Sequence, residues 1–190
     1  MTKRAELEKS NHIHGNRLRK QFNVSVQEIL QDLAIATGAD RAILFEFSNG
    51  TTNLVGLPFL YMTAAAEVAA PGLPLISERH QRLNTSLVAQ FLIKLEQNGT
   101  LFINTDLPLK PEHTMMKNIM ERANMKSALF CSIQGLDEAI GFLVIMTTAN
   151  SGNMLDLTDS VLATNKAVQQ ISSMINYDEI EERERKNKKS

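Results

Sequence analysis

The sequence predicts an α+β fold, in which one antiparallel sheet is flanked by the first and last helices of the chain. Two apolar segments, 41–47 and 139–146, lie far apart in the chain and have the composition of strands. Each stands beside a long segment whose apolar residues recur at the three- and four-residue spacing of an amphipathic helix. We therefore expect the two strands to share a sheet and the two helices to pack on it.

The first helix is predicted from apolar residues that line one side of the segment before Gly38. Glycine ends a helix well because it adopts the left-handed C-cap conformation without a Cβ penalty. Residues 1–16 are polar and mixed in charge, so we expect them to form a frayed lead-in. The residues of the apolar stripe are Leu18, Phe22, Val26, Ile29 and Leu33.

The middle of the chain predicts strands joined by turns and short helices. Residues 41–47 form the first strand, 48–50 supply turn chemistry, and 57–63 form the second strand. The alanine-rich residues 64–71 are compatible with a helix or with a continued strand. The elements predicted next are a helix from Asn84 or Thr85 to 98–99, a strand at 101–103 and a helix at 112–124.

The last third of the sequence predicts a β-hairpin followed by a long helix. Strands at 127–133 and 139–147 are separated by a length that suits a tight connection. The helix begins near Asp156 and runs into a segment with many charges of both signs, expected to be a frayed helix or disordered. The predicted boundaries are 17–176 for the domain and 177–190 for the charged tail.

Composition limits the classes of function. The chain has 190 residues, 43% of them hydrophobic and 22% charged, which suits one soluble domain with extensions. A net charge of -1 gives no broad field to attract nucleic acid or an anionic membrane. No stretch approaches the ~20 apolar residues of a membrane span, and the charged N-terminus lacks a secretion signal. One cysteine excludes an internal disulfide, so we expect a cytoplasmic protein.

Three segments together resemble the GAF domain, a PAS-related sensory fold, over residues 18–176. They are Thr37-Gly-Ala-Asp-Arg-Ala-Ile-Leu-Phe-Glu-Phe47, Met125-Lys-Ser-Ala-Leu-Phe-Cys-Ser-Ile133 and Ile140-Gly-Phe-Leu-Val-Ile-Met146. The resemblance implies that the terminal helices pack on one sheet face. It also implies that a variable insert, here between Gly50 and Thr100, covers the other face to form a small-molecule pocket. Segments 46–50 and 56–61 look like small GAF-like proteins of bacteriophages, which implies the host cytoplasm or a virion as the location.

The motifs that give GAF domains specific chemistry are missing. The Asn-Lys-Phe-Asp-Glu motif of cyclic-nucleotide-binding members is not present, and Cys131 lies in an apolar strand instead of a chromophore-binding insert. One cysteine cannot complete a disulfide-resolved reductase cycle. His12 and His14 are expected to be solvated, and neither His80 nor His113 has a visible catalytic partner. We therefore expect no enzyme activity, no metal and no cofactor.

Polar residues in and beside the insert are candidates for a ligand site. Such groups, converging on a mostly apolar cavity, are what a small ligand requires. The alternative is that they cap helices, close turns and fill a core with no vacancy. The candidate ligand-binding residues are Phe47, Tyr61, Thr63, Glu67, Thr85, Asn104, Asp106 and Cys131. Met115, Met116, Met120 and Met125 crowd one short helix, where they are expected to pack the core, with one of the adjacent pair exposed.

The terminal helices predict a homodimer, because GAF domains commonly assemble through them and the first helix has a short heptad-like seam. The same stripe would also serve a helix that only covers its own sheet. The candidate interface residues are Leu18, Phe22, Val26, Ile29, Leu33, Val161, Val168 and Ile175. The leading hypothesis is a dimeric, non-enzymatic sensory module for an unidentified metabolite. The alternative is a structural or protein-binding scaffold, for example phage-encoded, without a small ligand.

Overall fold

A computed structural model describes residues 21–52, 58–108, 114–135, 139–150, 152 and 155–187. In these segments the chain forms a six-stranded sheet with helices on both faces. The strands are β1 (Arg41–Thr52), β2 (Pro58–Ala69), β3 (Leu83–Asn84), β4 (Thr100–Asn104), β5 (Met125–Gln134) and β6 (Ala139–Thr148). The helices are α1 (21–37), α2 (Ala89–Asn98), α3 (Thr114–Arg122) and α4 (Leu157–Asn187).

The two segments that predicted the sheet are adjacent at its centre. The strand order is β3-β2-β1-β6-β5-β4, and all pairs of neighbours are antiparallel. In the central pair, Ile43 stands opposite Val144 and Phe45 opposite Phe142. Strands with both faces buried need apolar residues at every position, which explains their continuous apolar runs. The predicted α+β fold is confirmed.

Each face of the sheet carries its own buried cluster. The helix-side core lies under α1 and α4, and the insert-side core lies under α2 and α3. The helix-side core consists of Val26, Leu30, Leu33, Ala34, Ala42, Leu44, Val68, Leu129, Cys131, Ile133, Leu143, Ile145, Leu155, Ala167 and Ile171. The insert-side core consists of Ile43, Phe45, Met62, Ala64, Val88, Phe91, Leu95, Ile103, Met116, Met120, Met125, Ala128, Phe130, Phe142, Val144 and Met146.

Several elements differ from their predicted bounds. Strand β1 continues through the predicted turn at 48–50 to Thr52, and the ambiguous alanine run extends β2 to Ala69. Pairing with β1 decides the second case, because a shared ladder outweighs the weak helix propensity of alanine. Asn84 caps a 3₁₀ turn at Thr85–Val88, so α2 begins only at Ala89. Helix α4 continues into the predicted charged tail as far as Asn187.

Candidate ligand site

The insert-side core is built around packed aromatic rings. Phe45 of β1 stacks on Phe142 of β6 with ring centroids 4.8 Å apart. Phe91 of α2 meets Phe130 of β5 edge to face, also at 4.8 Å. Phe130 and Phe142 lie 6.2 Å apart, so they join the two pairs into one chain of rings. Aromatic pairs of this geometry contribute about 0.5–1.5 kcal/mol beyond the area they bury.

Methionines surround these rings. Three of the four methionines predicted to pack the core do so, and Met115 is 52% exposed, as expected for one of an adjacent pair. In the described residues, the helix-side core contains no buried methionine or phenylalanine, so the two faces differ in chemistry. Thioether chains have three rotatable bonds and refill irregular spaces, whereas branched aliphatic chains are stiffer. The buried methionines of the insert-side core are Met62, Met116, Met120, Met125 and Met146.

His80 places a polar group at the border of the ring cluster. Its ring is half-buried and stands edge-on to Phe45, with centroids 6.3 Å apart. The Nδ1 atom lies 2.7 Å from the carbonyl oxygen of Ile76, which can only accept, so this nitrogen carries the proton. In the neutral ring Nε2 is then an acceptor. His80 therefore brings a hydrogen-bonding group next to an otherwise apolar surface.

A buried ion pair fixes the loop that carries His80. Arg41 of β1 pairs with Glu67 of β2, and their side chains are only 5% and 1% exposed. The Glu67 carboxylate also accepts from the backbone N–H groups of Ile76 and Ser77, at 2.9 Å and 2.7 Å. Arg41 Nη2 donates to the carbonyl oxygen of Pro74 at 2.9 Å. These contacts form a clamp that holds residues 74–77 against the sheet.

Burial lowers the pKa of the Arg41 guanidinium, and the neighbouring Asp40 carboxylate opposes that shift. Asp40 is itself fixed, since its Oδ2 accepts from the backbone N–H of Thr148 at 2.6 Å. The clamp therefore sits beside a second buried carboxylate that ties the start of β1 to the end of β6.

Three of the predicted ligand residues lie at or near the insert-side core. Phe47 and Glu67 are on its face of the sheet, and Thr85 is three residues before the core residue Val88 in the chain. Phe47 packs against it, with its ring 5.9 Å from that of Phe142. Glu67 is on the same face, but its carboxylate is fully used by the clamp. Thr85 starts the 3₁₀ turn whose last residue, Val88, is part of this core.

Tyr61 and Thr63 point away from the insert-side core. They alternate along β2 with Met62 and Ala64, which belong to that core. Thr63 Oγ1 accepts from the backbone N–H of Arg82 at 3.1 Å. The guanidinium of Arg82 lies 5.0 Å from the centre of the Tyr61 ring. These side chains form a separate contact at the β2–β3 edge.

Asn104 and Asp106 close a turn after β4. Asn104 Oδ1 accepts from the Asp106 N–H at 2.9 Å, and the Asp106 carboxylate lies 3.3 Å from Lys126 Nζ. Cys131 belongs to the helix-side core, and burial raises the pKa of its thiol to about 12. The eight predicted ligand residues therefore do not converge on one site.

The predicted dimer seam packs on the chain's own sheet. Val26 and Leu33 are 1% and 3% exposed in the helix-side core. Half-buried against the same core are Phe22, Ile29, Val161, Val168 and Ile175. Leu18 lies outside the described residues. Among the residues of α1 and α4 whose burial is described, the most exposed apolar side chains are Val24, Ile35 and Leu162.

Solved structures share this arrangement. The phycocyanobilin-bound GAF domain of a cyanobacterial phytochrome matches with a TM-score of 0.65 and 17% identity, covering 92% of this chain and 96% of that one. A far-red cyanobacteriochrome photoreceptor matches with a TM-score of 0.62 and 13% identity, covering 93% and 98%. The chain has a GAF fold. The photoproduct state of GAF3 from a Synechocystis protein matches with a TM-score of 0.62 and 10% identity, covering 87% and 98%. No protein-family model and no curated protein matches the sequence.

The GAF fold of this chain does not offer its cysteine to a ligand on the insert side. Covalent attachment needs a thiol that reaches the ligand and ionises. Cys131 is 1% exposed, faces the opposite core and has a raised pKa. A thioether-linked chromophore therefore does not fit the insert side. Within the described ranges, no three metal-ligating side chains come together, and no helix is long and apolar enough to cross a membrane.

Local sequence patterns do not reveal the parts of this GAF fold that define the candidate site. Arg41 is the first residue of a strand, and its sequence context is that of an ordinary polar boundary residue. Glu67 does give a signal, because a charged residue inside an alanine run indicates a buried partner of opposite charge. His80 sits among charged residues and resembles a surface residue. The chain of phenylalanine rings comes from β1, α2, β5 and β6, which only the tertiary fold brings together.

Proposed function

We propose that the chain is a sensory module that binds a small, largely apolar ligand against the insert-side face of its GAF fold. The chemical difference between its two cores carries this proposal. A purely structural domain could use the same branched aliphatic residues on both faces, yet phenylalanine and methionine are concentrated on one. Flexible thioether chains around aromatic rings suit a surface that repacks when a ligand enters.

The polar groups of this face set the expected chemistry of the ligand. The clamp uses both Arg41 and Glu67, so their charges compensate each other instead of attracting an ion. His80 brings one hydrogen-bonding group beside Phe45. We therefore infer an aromatic or polycyclic ligand with one polar substituent, held without a covalent bond. The phytochrome domain with a similar fold is described as bound to phycocyanobilin, which supports a ligand on a fold of this kind.

We further propose that the module has no catalytic activity and no resident metal. One structure with a similar fold is named a far-red cyanobacteriochrome photoreceptor, and that name supports a sensory module more than an enzyme. A cytoplasmic location stays a prediction from the sequence.

Binding can reach the terminal helices through the sheet itself. In β1, Phe45 faces the insert-side core and its neighbour Leu44 faces the helix-side core. A ligand that moves the first side chain therefore strains a strand that also supports α1 and α4. We include homodimerisation in the proposal, since a dimer could convert such a shift into an altered interface. The predicted seam through the terminal helices would then have to use their outer faces, including Ile35 and Leu162.

Methyl NMR tests the ligand proposal directly. The protein labelled at methionine methyl groups is titrated with a library of aromatic compounds. A ligand of the insert side shifts the methyl signals of the buried methionines of that core, whereas Met174, which packs against the helix-side core, is the internal control. His80→Ala should weaken the same binding without abolishing the fold. Shifts confined to Met174, or none across the library, would count against the proposal.

A scaffold without a small ligand is the second candidate. The insert-side residues are tightly buried, with Ile103 and Val144 at 0% exposure, so a ligand must displace side chains to enter. This packing favours a fold used as a protein-binding surface, including the phage-encoded scaffold that the sequence also predicts. Native mass spectrometry of protein from its natural source separates the two, because a scaffold would carry protein partners and no small molecule.

A further inference from the structure

Strand β4 leaves one edge of the sheet unpaired in the described part of the chain, whereas at the opposite end the outer side of β2 is covered at several positions. At the β2 edge, β3 pairs with part of the strand. The N–H of Ala64 donates to the His80 carbonyl oxygen at 2.8 Å. The carbonyl of Glu67 accepts from Gln27 Nε2, also at 2.8 Å. Strand β4 is outermost at the opposite end, and its inner side pairs with β5.

The hydrogen bonds beside β4 show which of its backbone groups point outward. The N–H of Ser132 donates to the Gly99 carbonyl oxygen at 2.8 Å. The N–H of Thr105 donates to the Lys126 carbonyl oxygen at 2.9 Å. Inward and outward residues alternate along an antiparallel strand. The residues whose backbone groups face outward are therefore Thr100, Phe102 and Asn104.

Most of these outward groups have no hydrogen-bond partner in the described part of the chain. The carbonyl of Asn104 accepts from the N–H of Leu107 at 3.2 Å, but Thr100 and Phe102 leave both backbone groups unused. Exposed edges of this kind are usually protected by charges, proline or a bulge. The sequence Thr100-Leu-Phe-Ile-Asn104 contains neither a charge nor a proline, and its pairing with β5 is regular.

We infer that this edge pairs with β4 of a second copy of the chain, antiparallel and centred on Phe102. In this register, each residue faces the residue of the second copy that lies equally far from Phe102 on its other side. Thr100 then faces Asn104 of the second copy, so polar residues meet. Leu101 faces Ile103, and the two Phe102 rings are opposite each other. Aromatic and aliphatic cross-strand pairs stabilise a ladder by about 0.2–1 kcal/mol each.

The same geometry predicts a closed dimer. A two-fold contact uses the same edge on both subunits, so the pairing consumes the β4 edge of each copy and leaves no second β4 edge for a third. This inference rests on the homodimer part of the proposed function. It replaces the terminal helices with β4 as the contact, which leaves their apolar stripe to cover the sheet as observed.

Thr100→Pro is the sharpest test, because it removes an outward N–H and no hydrogen-bond donor of the β4–β5 ladder. Thr100→Val is the matched control, since it keeps the N–H and replaces only the hydroxyl. Sedimentation equilibrium should show a dimer dissociation constant raised about tenfold or more for Thr100→Pro, as expected when both symmetric hydrogen bonds are lost. The valine variant should dimerise like the natural protein. Equal affinities for both variants would overturn the inference.

Ile35→Glu and Leu162→Glu distinguish this interface from the terminal helices. Both side chains are exposed, at 70% and 73%, so the folded monomer tolerates a charge there. If β4 forms the contact, these variants remain dimers. If they become monomers while Thr100→Pro stays dimeric, the β4 inference fails and the homodimer proposal stands. A natural protein that is monomeric at high micromolar concentration overturns both.

Hydrogen exchange provides a measurement that does not depend on a variant folding. Pairing should slow exchange of the Thr100 and Phe102 amides as protein concentration rises. The Leu101 and Ile103 amides face β5 already and serve as the internal reference. Concentration-independent exchange at Thr100 and Phe102, in a protein shown to be dimeric, would exclude β4 as the interface.

Discussion

Arg41 and Glu67 form a buried ion pair between neighbouring strands, and the Glu67 carboxylate also binds the backbone of the loop that carries His80. The pair therefore links the centre of the sheet to the border of the candidate ligand site. Buried pairs contribute little net stability compared with apolar packing, but removal of one partner leaves the other charged and desolvated. We interpret the pair as a device that fixes the loop conformation.

Glu67→Gln should destabilise the protein by about 3–5 kcal/mol, because it removes the carboxylate paired with the buried Arg41 guanidinium and leaves only the neighbouring Asp40 to compensate that charge. Chemical denaturation measures the loss. Asp106→Asn is the control, since Asp106 belongs to an ion pair whose carboxylate is 64% exposed. Exposed pairs contribute about 0–1 kcal/mol. Similar losses for the two variants would contradict the clamp.

The direction in which α1 faces gives a second prediction. Leu33 is 3% exposed in the helix-side core, whereas Ile35, two residues later, is 70% exposed. Leu33→Ala should cost about 2–5 kcal/mol through lost burial and a cavity. Ile35→Ala should change the unfolding free energy by about 0.5 kcal/mol or less. Thermal or urea unfolding of both variants checks this, and a reversed ranking would mean that α1 does not pack as described.

The stripe on α1 shows how far sequence reasoning reached. Its spacing correctly predicts that Val26 and Leu33 share a buried face, because helical periodicity is local. It does not reveal whether that face meets a sheet or another subunit, since the same 3.6-residue repeat serves both. The alanine run in β2 is similar. Its local propensity is compatible with a helix or a strand, and only the pairing of Ala66 with Leu44 of β1 makes it a strand.

The candidate site was less accessible to prediction because its members come from distant segments. The composition of the insert predicts that its polar residues converge, but alternation along β2 places Tyr61 and Thr63 on the opposite face from Met62. The register of a strand is set by its partner, and a shift of one residue exchanges the two faces. The bulge where Leu44 and Phe45 pair with β2 makes such a shift, and a single sequence does not mark it.

Gly141 lies where β6 approaches β1 too closely for any side chain. A Cβ at this position would collide with the carbonyl oxygen of Phe45. Gly141→Ala should therefore cost about 3 kcal/mol or more, since central strands must separate to admit the methyl group. Gly38→Ala is the comparison, because Gly38 needs only its positive φ of 63° and has open space around it. That variant should cost about 1 kcal/mol in denaturant unfolding.

Cys131 should make the stability of the protein fall at alkaline pH. Its pKa in the folded state is about 12, against an ordinary value of 9.0, so the folded state retains a proton that the unfolded chain has lost. The stabilisation is fully present below pH 9 and is lost as the pH rises toward 12, by about 1.4 kcal/mol for each pH unit. Cys131→Ala removes this contribution while other alkaline titrations remain. The difference in unfolding free energy between the natural protein and Cys131→Ala should therefore shrink steadily above pH 9. A constant difference across that range would show that the thiol ionises equally in both states.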